Sequence, residues 1–151
     1  LIIWAEGKGS VYLFAASLLL LLTHFLFGTV WQAFASLKRG DLEQADRLIR
    51  NVRHPKLLTK RHRAYYHFVR GMIYLQYKQL EDGKQHLQQA LDLGLQSPTD
   101  KALVALNLAH VSYVEKDYDG SRAYLEQARQ QDTTDLMIQE NIKKLEAAMA
   151  K

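Results

Sequence analysis

Twenty consecutive residues, 11–30 (VYLFAASLLLLLTHFLFGTV), contain no Lys, Arg, Asp or Glu. As a helix rising about 1.5 Å per residue, such a run covers roughly 30 Å, the hydrocarbon thickness of a bilayer. Three structures accept a run of this kind: a membrane span, the buried helix of a soluble protein, or a signal peptide. It is too long for the apolar core of a signal peptide, and no small-residue cleavage site separates it from the next element. The helical pattern instead continues through Trp31, Phe34 and Leu37. The expectation is a transmembrane helix at 11–30 that merges with a soluble one. Tyr12 and Trp31 stand near its two ends, where interfacial aromatics belong.

Charge sets the expected orientation. Only Glu6 and Lys8 precede the run, whereas 38–70 holds ten Lys/Arg against Asp41, Glu43 and Asp46, a net +7. The remaining stretch, 71–151, has nine basic and twelve acidic residues, a net −3. The positive-inside rule then places the C-terminal side in the cytoplasm, at an inner or plasma membrane. The candidate membrane-surface patch is Lys38, Arg39, Arg47, Arg50, Arg53, Lys56, Lys60, Arg61 and Arg63. Anionic lipid is one partner for it, and topology alone is a second explanation. Nucleic acid is a third, suggested by Arg61 and Arg63 beside Tyr65 and Tyr66. Tethering and the acidic remainder argue against it.

Ahead of the run, 1–4 (LIIW) reads as the tail of a preceding hydrophobic segment, with 5–10 as an extracytoplasmic turn. His24 lies inside the span, where ionisable residues are costly. Either its neutral ring bonds a carbonyl or neighbouring helix, or it contacts an intramembrane partner.

The rest of the chain reads as all-α. Pro55 and Pro98 are its only prolines, and Leu, Ala, Gln, Lys and Glu dominate. Small residues recur every 38 positions at Ala33, Gly71 and Ala109, at Ala45, Gly83 and Ser121, and at Val52, Ala90 and Ala128; Leu42, Leu80 and Tyr118 keep the same interval with large ones. Small residues at fixed sites let paired helices approach, and large ones fill between them. The expected helices end near 39 and then cover 41–52, 59–77, 80–93, 98–115, 118–131 and 134–150. In the last of these, Leu136, Ile142, Leu145 and Met149 should face inward.

The third copy, Asn107-Leu108-Ala109 through Lys116-Asp117-Tyr118 to Tyr124-Leu125-Glu126-Gln127-Ala128, resembles the tetratricopeptide repeat. The second matches through Gly71, Tyr74, Leu80, Gly83, Leu87 and Ala90, and the first through Ala33, Leu42, Ala45 and Ile49. The resemblance implies a transmembrane helix continuing into an α-α solenoid over 31–133, in three pairs at about 29–57, 58–97 and 98–133, closed by a capping helix at 134–151. The interval departs from the family's usual period of about 34. The surplus falls in 53–61 and 94–101. Gly83 stands where the family has alanine, at a cost of about 1 kcal/mol in a helix interior. The layout of anchor and repeats is similar to that of HemY-type bacterial inner-membrane proteins, from which no activity carries over.

In tetratricopeptide arrays the first helix of each pair lines a concave groove. Carried over by register, the resemblance implies a groove of Tyr65, Phe68, Met72 and Leu75, then Leu103, Leu106, Asn107, His110 and Tyr113. Phe68 and Met72 fall where a carboxylate-gripping groove needs Lys and Asn, so an apolar helical segment is the better occupant. The chain's own last helix or a second copy could fill it equally well.

No catalytic constellation is present. Gly7-Lys8-Gly9-Ser10 mimics a fragment of a phosphate loop but leads into an apolar span. His54, His62 and His67 lack the spacing and neighbouring carboxylates of a metal site, and there is no cysteine. No cofactor is implied. The expected function is a non-enzymatic scaffold or accessory subunit that binds another protein, within a membrane complex. The rivals are a lipid-docked homo-oligomer and the regulatory subunit of an enzyme whose catalytic chain is separate.

Overall fold

The computed structural model describes the backbone of residues 3–150 and the side chains of 9–23 and 28–150. The apolar start at 1–4 and His24 lie outside the described side chains. Seven α-helices are present and no strand among the described residues: α1 (Ile3–Lys38), α2 (Leu42–Arg50), α3 (Lys60–Gln76), α4 (Leu80–Leu93), α5 (Pro98–Val114), α6 (Tyr118–Arg129) and α7 (Leu136–Met149). A 3-10 turn, Pro55–Leu57, precedes α3. Because α1 is already helical from Ile3, the turn expected over 5–10 is not formed.

Helices pair across three-residue turns, α1 with α2, α3 with α4 and α5 with α6, while α7 packs on α5 and α6. The three turns are copies of one another. Their middle residues, Gly40, Lys78 and Lys116, all have positive φ, at 80°, 59° and 65°. In each, the next amide donates to a carbonyl five residues back, Asp41 to Ser36, Gln79 to Tyr74 and Asp117 to Ser112. This left-handed closure satisfies carbonyls that the helix end would strand. Asp41 and Asp117 then cap α2 and α6 by accepting from the amides of Gln44 and Gly120.

The small residues mark the helix crossings. Ala33, Ala45, Gly71, Gly83, Ala109 and Ser121 are all buried. Ser121 Oγ donates to the Ala109 carbonyl at 2.8 Å, so the backbones of α5 and α6 nearly touch there. In the α3/α4 pair a Cβ on Gly71 would sit 2.7 Å from Leu87 Cγ and 3.0 Å from the Leu87 amide nitrogen. One on Gly83 would sit 2.4 Å from Leu75 Cδ2. Glycine at 83 therefore leaves room for the Leu75 side chain. Overpacking costs about 1–3 kcal/mol and a better helix former returns about 1. Gly71→Ala is accordingly expected to destabilise by about 1 kcal/mol net, read as a shifted urea midpoint at constant m-value. Gly83→Ala should cost less, because the Leu75 side chain can swing aside.

Two apolar clusters fill the body. One joins α1 to α4 and reaches Val104 and Leu108 of α5; the other joins α5, α6 and α7. In α7 the inward face is Ile138, Ile142 and Leu145, and Leu136 is 78% exposed. Asp135 fixes this phase by accepting from the amides of Met137 and Ile138. Leu136 precedes Ile138 by two residues, about 200° around the helix, so the two cannot share a face.

Along α1, Val11 to Phe14 are 65–78% exposed and Leu18 to Leu22 are 53–69% exposed. Among the described residues of α1, the first buried side chain is Val30, 0% exposed. The helix is long and apolar enough to cross a membrane.

Candidate partner-binding groove

Two adjoining hollows of about 510 and 500 Å³ share Met72, Leu103 and Asn141. One adds Leu106, Asn107, His110 and Tyr113 of α5 with Leu145 of α7. The other adds Phe34 and Leu37 of α1, Phe68 of α3, and Met137 and Ile138 of α7. Apart from Gly40 and Leu42 at the α1/α2 turn, the lining comes from α1, α3, α5 and α7 and the residues that open α5 and α7, the first helix of each pair and the one after the last pair. Sequence register explains the convergence: Phe34, Met72 and His110 are 38 apart, as are Val30, Phe68 and Leu106.

Seven of the nine residues expected in the groove line these hollows. Phe68 is its floor, 1% exposed, with its ring 5.5 Å from Phe34. Tyr65 and Leu75 turn elsewhere. Tyr65 is 3% exposed, with its ring 4.8 Å from Trp31 and 4.9 Å from Phe34. Leu75 faces α4, in the space above Gly83. Phe34, Leu37, Met137, Ile138 and Asn141 were not expected in the groove. Their signal was the 38-residue interval itself, which also relates the helix caps Thr59, Ser97 and Asp135 and so puts α7 in register with α3 and α5.

One end of the groove is polar. Asp100, 3% exposed, accepts a hydrogen bond from Tyr65 Oη at 2.9 Å, and its Oδ1 lies 3.5 Å from Lys38 Nζ. Oδ1 has no hydrogen bond. Burial, and then the bond to Asp100, raise the Tyr65 hydroxyl above the ordinary tyrosine range. Lys38 also sits 4.9 Å from the Phe34 ring centroid. It thus lines the groove while its side chain stays 56% exposed.

The other basic residues divide by position. Arg39 donates to Ser36 in the first turn, and Arg47 pairs with Glu43 at 3.3 Å. Arg50 makes two 2.9 Å hydrogen bonds to Asp46. Arg53 and Lys56 are exposed between α2 and α3, Lys60 is exposed at the start of α3, and Arg61 lies 5.2 Å from the Trp31 ring. Beside them Trp31 Nε1 donates to His62 Nε2 at 3.1 Å, leaving Nδ1 of the neutral ring to donate to Thr59 Oγ1 at 2.7 Å. Burial, then Arg61, lower the His62 pKa.

A second polar cluster joins α3 to α4. His67 Nδ1 and His86 Nδ1 are 2.8 Å apart, close enough to share one proton. Tyr74 stacks against His86 at 5.3 Å, and Arg70 lies 4.6 Å from the Tyr74 ring. Burial, then His86 and Arg63, push the His67 pKa down to about 4. Burial and Arg70 lower that of His86, opposed by Asp82. Among the described residues no group of three His, Asp or Glu could hold a metal ion. No protein-family model and no curated protein matches the chain.

Proposed function

We propose that the chain is a membrane-anchored helical-repeat scaffold or accessory subunit without catalysis of its own. In this reading α1 crosses the bilayer, the body faces the cytoplasm, and the groove receives an apolar helix of another membrane-complex subunit. The observation that carries it is the joining of two unpartnered apolar surfaces in one rigid element. The outer part of α1 exposes a run of large apolar side chains, and its inner end contributes Phe34 and Leu37 to the groove. Soluble monomers rarely leave contiguous apolar patches beyond a few hundred Å². A lipid-embedded helix has no such limit. The excess of Lys and Arg after the span supports the cytoplasmic orientation.

The repeat reading, a short solenoid of tetratricopeptide type, is supported by the threefold recurrence of the left-handed turn and of the small crossing pairs. Such stacks bind extended or helical segments on the face of their first helices.

The chain contains no cysteine, so single cysteines can carry a photocrosslinker cleanly. A probe at His110, on the groove's rim, should yield an adduct with a second protein in native membranes, and one at exposed Gln127 of α6 should not. Met72→Glu should abolish the His110 adduct while helicity and melting stay nearly unchanged, since Met72 is only partly buried. Adducts of the chain with itself alone would replace this reading by the homo-oligomer. Equal adducts from both positions would remove the groove from the function.

A further inference from the structure

The body has a second face toward the span. Ring contacts run in step along α1 and α3: Trp31 meets Tyr65 at 4.8 Å, and Phe34 meets Phe68 at 5.5 Å. Both helices therefore run in the same direction, away from the apolar stretch. Lys60, the first residue of α3, stands near the level of Trp31, and the chain just before it lies on the span side of the body. The α2 helix returns antiparallel to α1 across a three-residue turn and delivers the chain to that same end. The turn Pro55–Leu57 is thus placed beside the point where α1 leaves the body.

Its side chains are built for an interface. Leu58 is 5% exposed and pins the turn to the core, while Leu57 beside it is 70% exposed. Arg53, Lys56 and Lys60 are exposed around it. No Asp or Glu occurs anywhere from 47 to 80, and among the described residues none of the salt bridges involves Arg53, Lys56 or Lys60. An isolated exposed leucine is ordinary. One at a pinned turn, ringed by cations and level with the end of an apolar span, matches the depth profile of a bilayer surface.

We propose that this turn is a second membrane contact. Leu57 enters the interfacial layer, and Arg53, Lys56 and Lys60 meet the phosphates of an anionic bilayer. The inference rests on the reading of α1 as a span. Its consequence is that the body is held at two points, so that the groove faces along the membrane at a fixed tilt, where a helix of a neighbouring subunit would emerge.

The test uses the full chain in phosphatidylcholine vesicles with or without phosphatidylserine. An environment-sensitive dye is placed singly by Leu57→Cys, Leu18→Cys or Gln127→Cys, with lipids carrying a shallow quencher. Position 18 should be lipid-exposed in both vesicle types and position 127 in neither. Position 57 should be quenched with phosphatidylserine and released by salt. Lys56→Glu with Lys60→Glu should lower its docked-to-free ratio by at least about fivefold per charge changed. If 57 behaves like 127 while 18 reports lipid, the second contact is overturned and the anchor stands. If 18 also reports water, the anchor fails and the second contact with it. Stronger protection of 57 by RNA than by anionic vesicles would overturn the lipid assignment.

Discussion

Phe68→Ala is expected to remove about 3–5 kcal/mol of stability, the largest loss from any single truncation proposed for this chain. The ring is 1% exposed and stands where three helices meet, 5.5 Å from Phe34 of α1 and 6.3 Å from Tyr65 of its own helix. Tyr65 in turn reaches Asp100 of α5. Truncation leaves a void that these neighbours cannot close, because each is held by a further contact. Domains of this size carry about 5–15 kcal/mol in all, so the variant should be visibly loosened. Denaturation of the full chain in detergent micelles, followed by helix signal, measures it. Phe68→Leu should recover most of the loss. A midpoint unchanged by Phe68→Ala would mean that the residue faces an open groove and not the core. For the same reason Phe68 is a poor site at which to test partner binding, and Met72 and His110 are better ones.

That distinction between floor and rim was not legible in the sequence. The interval of 38 residues correctly grouped the positions that share a register, and it located the helices within a few residues. Caps and turns carried that information: Ser97-Pro98 opens α5, and Gly40 closes α1 with φ of 80°. What register cannot give is the angle at which neighbouring first helices meet. That angle is set by side-chain volume at the crossings, and it decides that Tyr65 is sealed beneath Trp31 while Met72 stays half-open. It also decides that α7 turns its Ile138 edge into the groove.

Glycine was misleading for a related reason. Helix propensity counts Gly83 as a local cost, yet a methyl group there would strike Leu75, and one at Gly71 would strike Leu87. Both glycines serve the close approach of α3 and α4 that the recurrence of small residues implied, and the coordinates show which side chains each would strike. The basic segment shows the same limit. Its charges are contiguous in sequence, but α1 and α2 run in opposite directions, so Lys38 and Arg39 end on the far side of the body from Arg53, Lys56 and Lys60.

Acid should loosen the α3/α4 pair well before general acid denaturation. His67 and His86 face each other at 2.8 Å, and two imidazolium rings cannot occupy that geometry. Arg63 and Arg70 of α3 add positive charge around them, and Asp82 of α4 is the counter-charge acting on the pair. In the unfolded chain a histidine takes up its proton near pH 6.5. In the folded protein His67 resists until about pH 4. Between these values the unfolded state binds more protons, so stability falls as pH falls, and the full contribution is present above pH 6.5. After allowance for the partial exposure of the pair, the loss by pH 4 is about 2 kcal/mol. His62, also lowered, acts in the same direction, so His62→Gln serves as a control for its share. Urea midpoints measured from pH 8 down to pH 4.5 should therefore decline, and His67→Leu should flatten most of the decline. A slope that His67→Leu leaves intact would assign the acid sensitivity to other groups and reduce the histidine pair to a packing contact.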